Sequence, residues 1–375
     1  MRENMKDAGS QRTQRWSNIE LLRIITALGV IVLHYNNPNI GRGFRLVESK
    51  GNMLILALFQ ATFICAVNIF VLISGYFMRH SGKRDLLKPV ELITQLLVFE
   101  LLFMGIKEIT AGGELQAEKI LSYFRPSYWF VFVYAALYLI SPFINVAWDA
   151  ISAQGRKIIL ILMLGLFSIY PTILDMTGYI TQFDMSGFNT VGLSGAQAGY
   201  SIVNFVLMYM IGLYLRDRKD RDGEIVPGRM KVVLLLLLNI LIILIWSILD
   251  QTVFNRHTAL IPAWAYYNPF VITEAVLFFL AFNRLKLKNS RVINSLAAAS
   301  FPSYLIHINL LEYCKIEQAV KANPLILTAH IILCPVVIYL TSYLIYTVYM
   351  TVFRPIFGMI GQRWKRHRKY EIKSE

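Results

Sequence analysis

Long apolar stretches separated by short polar segments dominate the pattern of this chain. Stretches of about 20 apolar residues are typical of helices that cross a lipid bilayer. The pattern therefore predicts an all-α polytopic membrane protein with ten transmembrane helices. The predicted spans are residues 19–36, 54–78, 86–107, 128–148, 157–174, 199–215, 231–249, 269–283, 296–313 and 327–353.

Basic residues at the ends of these spans predict their orientation. With a cytoplasmic N-terminus, the cytoplasmic segments hold about three Lys or Arg residues for each one in the external segments, which is the bias found in membrane proteins. Both termini are then cytoplasmic, and the predicted location is the cell (cytoplasmic) membrane. We divide the chain into a cytoplasmic N-terminal tail (1–18), a transmembrane domain (19–353) and a basic cytoplasmic C-terminal tail (354–375).

Composition supports the same class. Of 375 residues, 56% are hydrophobic and only 16% are charged, which leaves too little polar surface for a soluble domain of this size. The net charge of +14 reflects the basic cytoplasmic loops, so we expect membrane lipids and no nucleic acid as partners. Cys65, Cys314 and Cys334 lie in or beside apolar stretches, and we interpret them as small buried hydrophobes without a disulfide or metal site.

The first span carries ionisable residues, which are costly in a bilayer and usually face a protein interior or a wet cavity. Arg23 and His34 are eleven residues apart, so they lie about 20° apart on one helix face and about 16 Å apart along the axis. Glu20 precedes Arg23 by one turn and can pair with it. A snorkelling Arg and an interfacial His would give the same pattern, so spacing alone leaves a structural alternative open.

A basic cluster follows the second span on its cytoplasmic side, formed by Arg79, Lys83, Arg84 and Lys88. Such a cluster is expected from topology alone, or from contact with anionic lipid. It could equally bind a phosphorylated cytoplasmic ligand, because guanidinium and ammonium groups pair with phosphate.

Further polar and aromatic residues lie at membrane depth. Tyr128 and Trp129 open the fourth span, where aromatic residues anchor a helix at the interface or offer a flat surface to a sugar ring. Glu274 in the eighth span is a candidate because a buried carboxylate is costly. The ninth span adds Ser303, Tyr304 and His307 beside a proline.

Four motifs in order along the chain resemble those of the acyltransferase family 3 membrane proteins. They are Arg23-x10-His34 in the first span, Phe70-Val-Leu-Ile-Ser74-Gly75-Tyr76 in the second, Tyr128-Trp129-Phe130 with Tyr138-Leu-Ile-Ser141-Pro142 in the fourth, and Ser300-Phe-Pro302-Ser303-Tyr304-Leu-Ile-His307 near the C-terminus.

The resemblance implies an O-acyltransferase that moves an acetyl group from cytoplasmic acetyl-CoA to a hydroxyl of an extracytoplasmic glycan. It makes Arg23 and His34 the essential pair. The Arg-x-Arg that often follows the second span in this family is replaced by Arg79-His-Ser-Gly-Lys83-Arg84. The predicted catalytic residues are Glu20, Arg23 and His34, the predicted CoA-binding residues are Arg23, Arg79, Lys83 and Arg84, and the predicted substrate-binding residues are Tyr128, Trp129, Glu274, Ser303, Tyr304 and His307.

We hypothesise that the CoA nucleotide stays at the cytoplasmic mouth of a channel and that its thin pantetheine arm carries the thioester toward His34. The imidazole then acts as a general base or as a transient acyl carrier, and the sequence leaves both routes open. A surface polysaccharide, a teichoic-type polymer, a lipid-linked sugar and peptidoglycan are all open as acceptors, with an exopolysaccharide favoured. Polysaccharide synthesis or export machinery is the expected protein partner. The sequence does not distinguish an acetyl donor from a succinyl donor.

Two other function classes compete. In a proton-coupled transporter or exporter of a small polar solute, Glu274, Glu100 and His34 would relay protons. No internal inverted repeat or pair of broken helices supports that class. The other alternative is a non-catalytic subunit of a polysaccharide synthesis complex. Specific CoA binding separates the enzyme from both.

Overall fold

The structure is a computed structural model that describes residues 15–80, 84–111, 128–183, 185, 188, 190, 199–223, 228–252 and 261–374. It is 84% helix and has no strand among the described residues, which confirms the predicted all-α class. The helices are α1 Ser17–Asn36, α2 Gly43–Leu46, α3 Lys50–Phe63, α4 Ala66–Met78, α5 Leu87–Ala111, α6 Trp129–Ala150, α7 Ala153–Leu164, α8 Tyr170–Thr181, α9 Ile202–Asp222, α10 Arg229–Thr252, α11 Pro269–Asn283, α12 Arg291–Leu296, α13 Ser300–Leu311, α14 Ile316–Lys321 and α15 Pro324–Ser374.

Eight helical segments of the described chain are long and apolar enough to cross a membrane. Large apolar side chains such as Phe143 and Val146 are exposed on their outer faces, where a bilayer would cover them. The eight segments are Ser17–Asn36, Lys50–Met78, Leu87–Thr110, Trp129–Ala150, Ala153–Gly178, Arg229–Gln251, Pro262–Asn283 and Pro324–Phe357.

Two of the ten predicted spans fall outside these eight segments. Residues 199–215 coincide with α9, whose last turns are charged. Residues 296–313 coincide with α13, which has 12 residues and follows a short 3-10 turn at Ala297–Ala299. Both helices are buried along much of their length among the other helices, so neither needs a long lipid-facing apolar surface. Their status as spans stays a prediction, and so does the orientation of the termini.

Several spans are irregular helices. The predicted span 54–78 is divided into α3 and α4 by a break at Ile64 and Cys65. A π-helical segment, Gly165–Ile169, joins α7 to α8. Before α11 the chain forms the 3-10 turn Pro262–Trp264 and then a helix capped by the Asn268 side chain. Proline favours the first turn of a helix and interrupts an ongoing one, which explains this last break.

Helix α1 lies at the centre of the bundle and contacts α3, α4, α11, α13 and α15. Buried amides join the surrounding helices to one another. The Asn36 side chain donates to the carbonyl of Leu56, and Asn68 donates to the carbonyl of Tyr266. Asn204 donates in turn to the Asn68 side chain. Such bonds fix helix positions where no hydrophobic driving force between helices exists.

Two glycines allow α4 and α9 to cross closely. A β-carbon on Gly75 would overlap the carbonyl of Tyr209, and one on Gly212 would overlap the carbonyl of Leu72. Small residues at a helix crossing permit this approach of two backbones. Gly75, which belongs to the second-span motif, is therefore a packing residue at this crossing.

Candidate active site

A cavity of about 770 Å³ follows α1 along its length, from Arg15 before the helix to Asn39 after it. Its α1 wall consists of residues spaced three or four apart, which is the pattern of one helix face. These residues are Glu20, Arg23, Ala27, Val30, Leu33 and His34, and Asn37 follows directly after the helix. The other walls come from α2, α3, α4, α5, α6 and α13, from the 3-10 turn Ala297–Ala299, and from the segments around Arg15, Tyr200 and Trp264.

Arg23 and His34 therefore lie on the same face of α1 and line the same cavity, as their eleven-residue spacing predicts. An oxygen of Glu20 lies 3.2 Å from a terminal nitrogen of the Arg23 guanidinium. The Glu20 side chain is 9% exposed and that of Arg23 is 35% exposed. The guanidinium is thus oriented by one carboxylate yet still reaches the cavity.

His34 is hydrogen-bonded to a second histidine. Its Nδ1 lies 2.7 Å from Nε2 of His307, and the two rings are 4.6 Å apart. His34 Nδ1 also lies 3.1 Å from the carbonyl oxygen of Val30. On the far side, Nδ1 of His307 lies 3.0 Å from the carbonyl oxygen of Ser303. His307 is fully buried behind His34 and does not reach the cavity wall.

These contacts assign the hydrogens on both neutral rings. His307 must donate from Nδ1, because its partner there, the Ser303 carbonyl, can only accept. His307 Nε2 is then an acceptor. Both partners of His34 Nδ1 are acceptors, so that atom carries the hydrogen of the neutral ring. The lone pair of His34 is left on Nε2, on the ring that lines the cavity.

One end of the cavity is basic. Arg15, Arg23 and Lys88 line it together with Glu20, and we call Arg15, Arg23 and Lys88 the basic mouth. A terminal guanidinium nitrogen of Arg15 donates to the carbonyl of Asn294 at 2.8 Å. The ammonium of Lys88 lies 3.1 Å from Glu91 in an exposed pair. Both contacts are exposed, and exposed ion pairs such as that of Lys88 are weak, so both cations remain available to an anionic ligand.

The other end carries aromatic rings and amides. We call Phe44, Trp129, Tyr200, Trp264 and Tyr266 the aromatic end. Trp129 stacks on Tyr200 with ring centres 4.5 Å apart, and Phe44 stacks on Trp264 at 5.2 Å. The side-chain amides that complete this end are those of Asn37, Asn39 and Gln60, and no Asp, Glu, Lys or Arg is among the described lining residues there.

The two arginines of the basic cluster after the second span bind other side chains of the protein. Arg79 is 8% exposed and donates to Asp217 and Asp149, each at 2.6 Å. Arg84 donates to Ser141 at 2.8 Å and lies over the ring of Tyr138. Neither lines the cavity, although both are predicted CoA ligands. Lys83, the third predicted ligand of this cluster, lies outside the described residues.

The predicted substrate-binding residues separate into two groups. Trp129 and Tyr304 line the cavity. Tyr128, Ser303 and Glu274 do not. The Tyr128 hydroxyl donates to the carbonyl of Leu305 at 2.9 Å, and Ser303 serves as the partner of His307. Glu274 is fully buried in α11 beside Cys65.

Sequence reasoning does not identify several lining residues. Arg15 precedes the first span and resembles any basic flanking residue. Tyr200, Trp264 and Tyr266 lie in irregular segments, where helical periodicity gives no information about facing. The signal that could have located Trp264 and Tyr266 is the pair Pro262 and Pro269, since non-helical backbone at membrane depth is tolerated only against protein or a water-filled cavity.

The chain was compared with known proteins. The model of a family described as an acyltransferase domain matches residues 16–353. No curated protein matches the chain. No solved structure matches it either. The matched residues include every helix that contributes a wall to the cavity.

Proposed function

The chain belongs to acyltransferase family 3, and from this membership we propose that it is a multi-pass O-acyltransferase of the cytoplasmic membrane. In this proposal it moves an acetyl group from cytoplasmic acetyl-CoA to a hydroxyl of an extracytoplasmic glycan. The observation that carries the proposal is a single cavity with cations at one end, aromatic rings at the other, and His34 in its wall.

In this proposal the acyl donor, acetyl-CoA, binds at the basic mouth. Acetyl-CoA is a highly charged nucleotide with a long thin arm that ends in a thioester, the activated form of the acetyl group. The cavity fits such a shape, because its charged lining is confined to the mouth and the walls beyond it are largely apolar. Arg15, Arg23 and Lys88 would hold the phosphates. Arg79 and Arg84 would instead hold α4 against α6 and α9.

The catalytic residue of the proposal is His34. With its hydrogen on Nδ1, its Nε2 can take the proton of an acceptor hydroxyl as a general base. The same nitrogen can attack the thioester carbonyl and carry the acetyl group before the hydroxyl receives it. Both routes place positive charge on the His34 ring, and the neutral His307 acceptor at Nδ1 would stabilise that charge. His307 is therefore a positioning residue.

In this proposal the acceptor glycan binds at the aromatic end. A sugar ring presents apolar C–H faces and hydroxyl edges, and stacked aromatic rings beside amides complement both. The absence of ionised side chains among the described lining residues there favours an uncharged sugar over an anionic one. A surface exopolysaccharide or a lipid-linked precursor meets this description. In the cell, polysaccharide synthesis or export machinery would supply it.

The transporter alternative has weaker support. A proton relay needs its titratable groups within reach of one another or of shared water. Glu274 and Glu100 do not line the cavity that His34 lines. Glu274 is enclosed by apolar residues of the bundle, and Glu100 lies beside Tyr128 on another helix. His34 instead pairs with His307, an arrangement suited to acyl transfer.

Acetyl transfer from labelled acetyl-CoA to a neutral polysaccharide, measured with membranes that contain the protein, tests the proposal. We expect His34→Ala to lower transfer by about 10²–10⁴-fold, the usual contribution of an acid–base residue, with protein level and CoA binding unchanged. His80→Ala is the matched control, because His80 is exposed and pairs with Asp220 away from the cavity. Proton-coupled solute flux without CoA binding would contradict the enzymatic function and support the transporter alternative.

A further inference from the structure

Two thiols meet beside the far end of α1. Cys314 follows α13 in the chain and Cys334 lies within α15, and their sulfur atoms are 3.1 Å apart. All three cysteines of the chain are free in the structure. The sequence interpretation treats them as isolated buried hydrophobes, because a separation of 20 residues gives no hint of contact. The fold brings two of the three together.

The surroundings argue against a metal as the reason for this contact. No group of three or more metal-ligating side chains occurs in the described parts of the chain. The pair instead packs with Tyr35, Leu311 and Ile331 in a core cluster shared by α1, α13 and α15. Sulfur atoms at this separation need to approach by only about 1 Å to reach the length of a disulfide bond.

The two thiols differ in a way that suits stepwise oxidation. Cys314 is half-buried, whereas Cys334 is 7% exposed. The Cys334 thiol donates to the Cys314 sulfur, and this hydrogen bond lowers the pKa of the Cys314 thiol. A lower pKa increases the thiolate fraction, which is the reactive form. Cys314 is thus the accessible attacking group and Cys334 the buried group within reach of it.

We propose that Cys314 and Cys334 form a disulfide bond in the mature protein, made by an extracytoplasmic thiol–disulfide oxidoreductase. The Cys314 thiolate attacks the disulfide of that oxidant, a mixed disulfide forms, and one thiolate leaves. The Cys334 thiolate then attacks the Cys314 sulfur and expels the second thiolate. Two protons and two electrons pass from the pair to the oxidant, which ends as a dithiol.

The location of the pair supports this oxidant class. In the proposed orientation, the His34 end of α1 is extracytoplasmic, and Tyr35 packs against the cysteine pair at that end. Disulfides persist in oxidising compartments and are rare in the cytosol. The inference rests on this orientation and not on the transfer reaction, so it can fail while the proposed activity stands.

The bond would have a structural consequence at the site. His307 lies on α13 two turns before Cys314, and α13 otherwise ends at Leu311 in a short external connection. A covalent link from Cys314 to α15 closes a loop that contains α14 and restrains the end of α13. Because His307 positions His34, the link would help to preserve the histidine pair at elevated temperature.

Counting thiols tests the proposal. Cells are quenched in acid, and the protein is denatured and treated with a maleimide polymer that slows migration on a gel for each free thiol. We expect one modified thiol in the wild type, Cys65, and three after reduction. Cys314→Ser should show two with or without reduction, and the matched control Cys65→Ser should show none before reduction and two after it.

A second experiment tests whether the two thiols can form a disulfide bond, independently of the compartment in which they lie. Purified reduced protein is treated with diamide, a small oxidant that acts in either compartment. Loss of two reactive thiols in Cys65→Ser, with a rise of about 2–4 °C in the unfolding midpoint that Cys314→Ser lacks, supports the pairing. Two thiols that stay reactive after diamide overturn it. Three free thiols in protein from quenched cells also overturn the proposal, because they place the pair in a reducing compartment.

Discussion

His307 does not reach the cavity, yet its hydrogen bond to His34 Nδ1, together with that of the Val30 carbonyl, leaves the lone pair of the His34 ring on Nε2. His307 Nε2 receives the hydrogen of His34 Nδ1, and its own Nδ1 is fixed by the Ser303 carbonyl. Spacing within the first span predicts that Arg23 and His34 share a face, because both residues belong to one regular helix. The contact with His307 joins residues 273 positions apart, so no local pattern could predict it.

Removing His307 should therefore impair turnover more than substrate binding. We expect His307→Ala to lower kcat about tenfold or more, as loss of an orienting partner does elsewhere, with little change in KM for either substrate. His307→Gln keeps an acceptor oxygen within reach of His34 Nδ1 and should recover part of kcat. Steady-state kinetics on the purified variants measure both constants. Equal loss in both variants, or a rise in KM alone, contradicts the positioning role.

The basic mouth gives a second prediction at the residue scale. Arg15→Gln together with Lys88→Gln should weaken CoA binding roughly 5- to 30-fold, since each exposed cation contributes up to about 1 kcal/mol. Titration calorimetry in nanodiscs measures this affinity. Lys157→Gln together with Lys286→Gln removes the same two charges from exposed positions outside the cavity lining and serves as control. Unchanged CoA affinity in the double variant would show that the CoA phosphates bind elsewhere in the protein.

At the scale of elements, the crossing of α4 and α9 holds one wall of the cavity in place. Gly75→Ala adds a methyl group against the Tyr209 carbonyl and should force the two helices apart. We expect a loss of about 1–3 kcal/mol of stability, the usual cost of overpacking. Gly105→Ala is the control, because a β-carbon at Gly105 meets nothing within 4 Å. Thermal unfolding in detergent compares the two variants, and equal midpoints would show that the crossing tolerates separation.

Element boundaries show where sequence reasoning succeeds and where it stops. Long apolar runs locate most spans to within a few residues, because lipid requires them. The break between α3 and α4 at Ile64 and Cys65 carries no proline or glycine, and apolar content continues through it. The π-helical segment at Gly165–Ile169 is likewise invisible in hydropathy. Both depend on packing against neighbouring helices.

At the scale of the whole molecule, the cavity is polarised along α1. Its Lys, Arg and Glu side chains lie at the basic mouth, whereas its side-chain amides and the five rings of the aromatic end lie at the opposite end. Sequence analysis predicts the charge asymmetry of the loops, and from that asymmetry an orientation. It cannot predict that Arg79 and Arg84 turn toward Asp217 and Ser141 while Arg15 reaches the cavity, because that choice depends on which helices pack side by side.

The polarity of the cavity leads to the central claim, that donor and acceptor approach His34 from opposite sides of the membrane. Sealed proteoliposomes of known protein orientation test this claim most directly, with labelled acetyl-CoA confined to one compartment and a membrane-impermeant neutral glycan to the other. We predict transfer only when acetyl-CoA is on the side of Arg15 and Lys88 and the glycan is on the side of Trp264. Transfer with both substrates on one side, or transfer that persists in His34→Ala, would contradict the account.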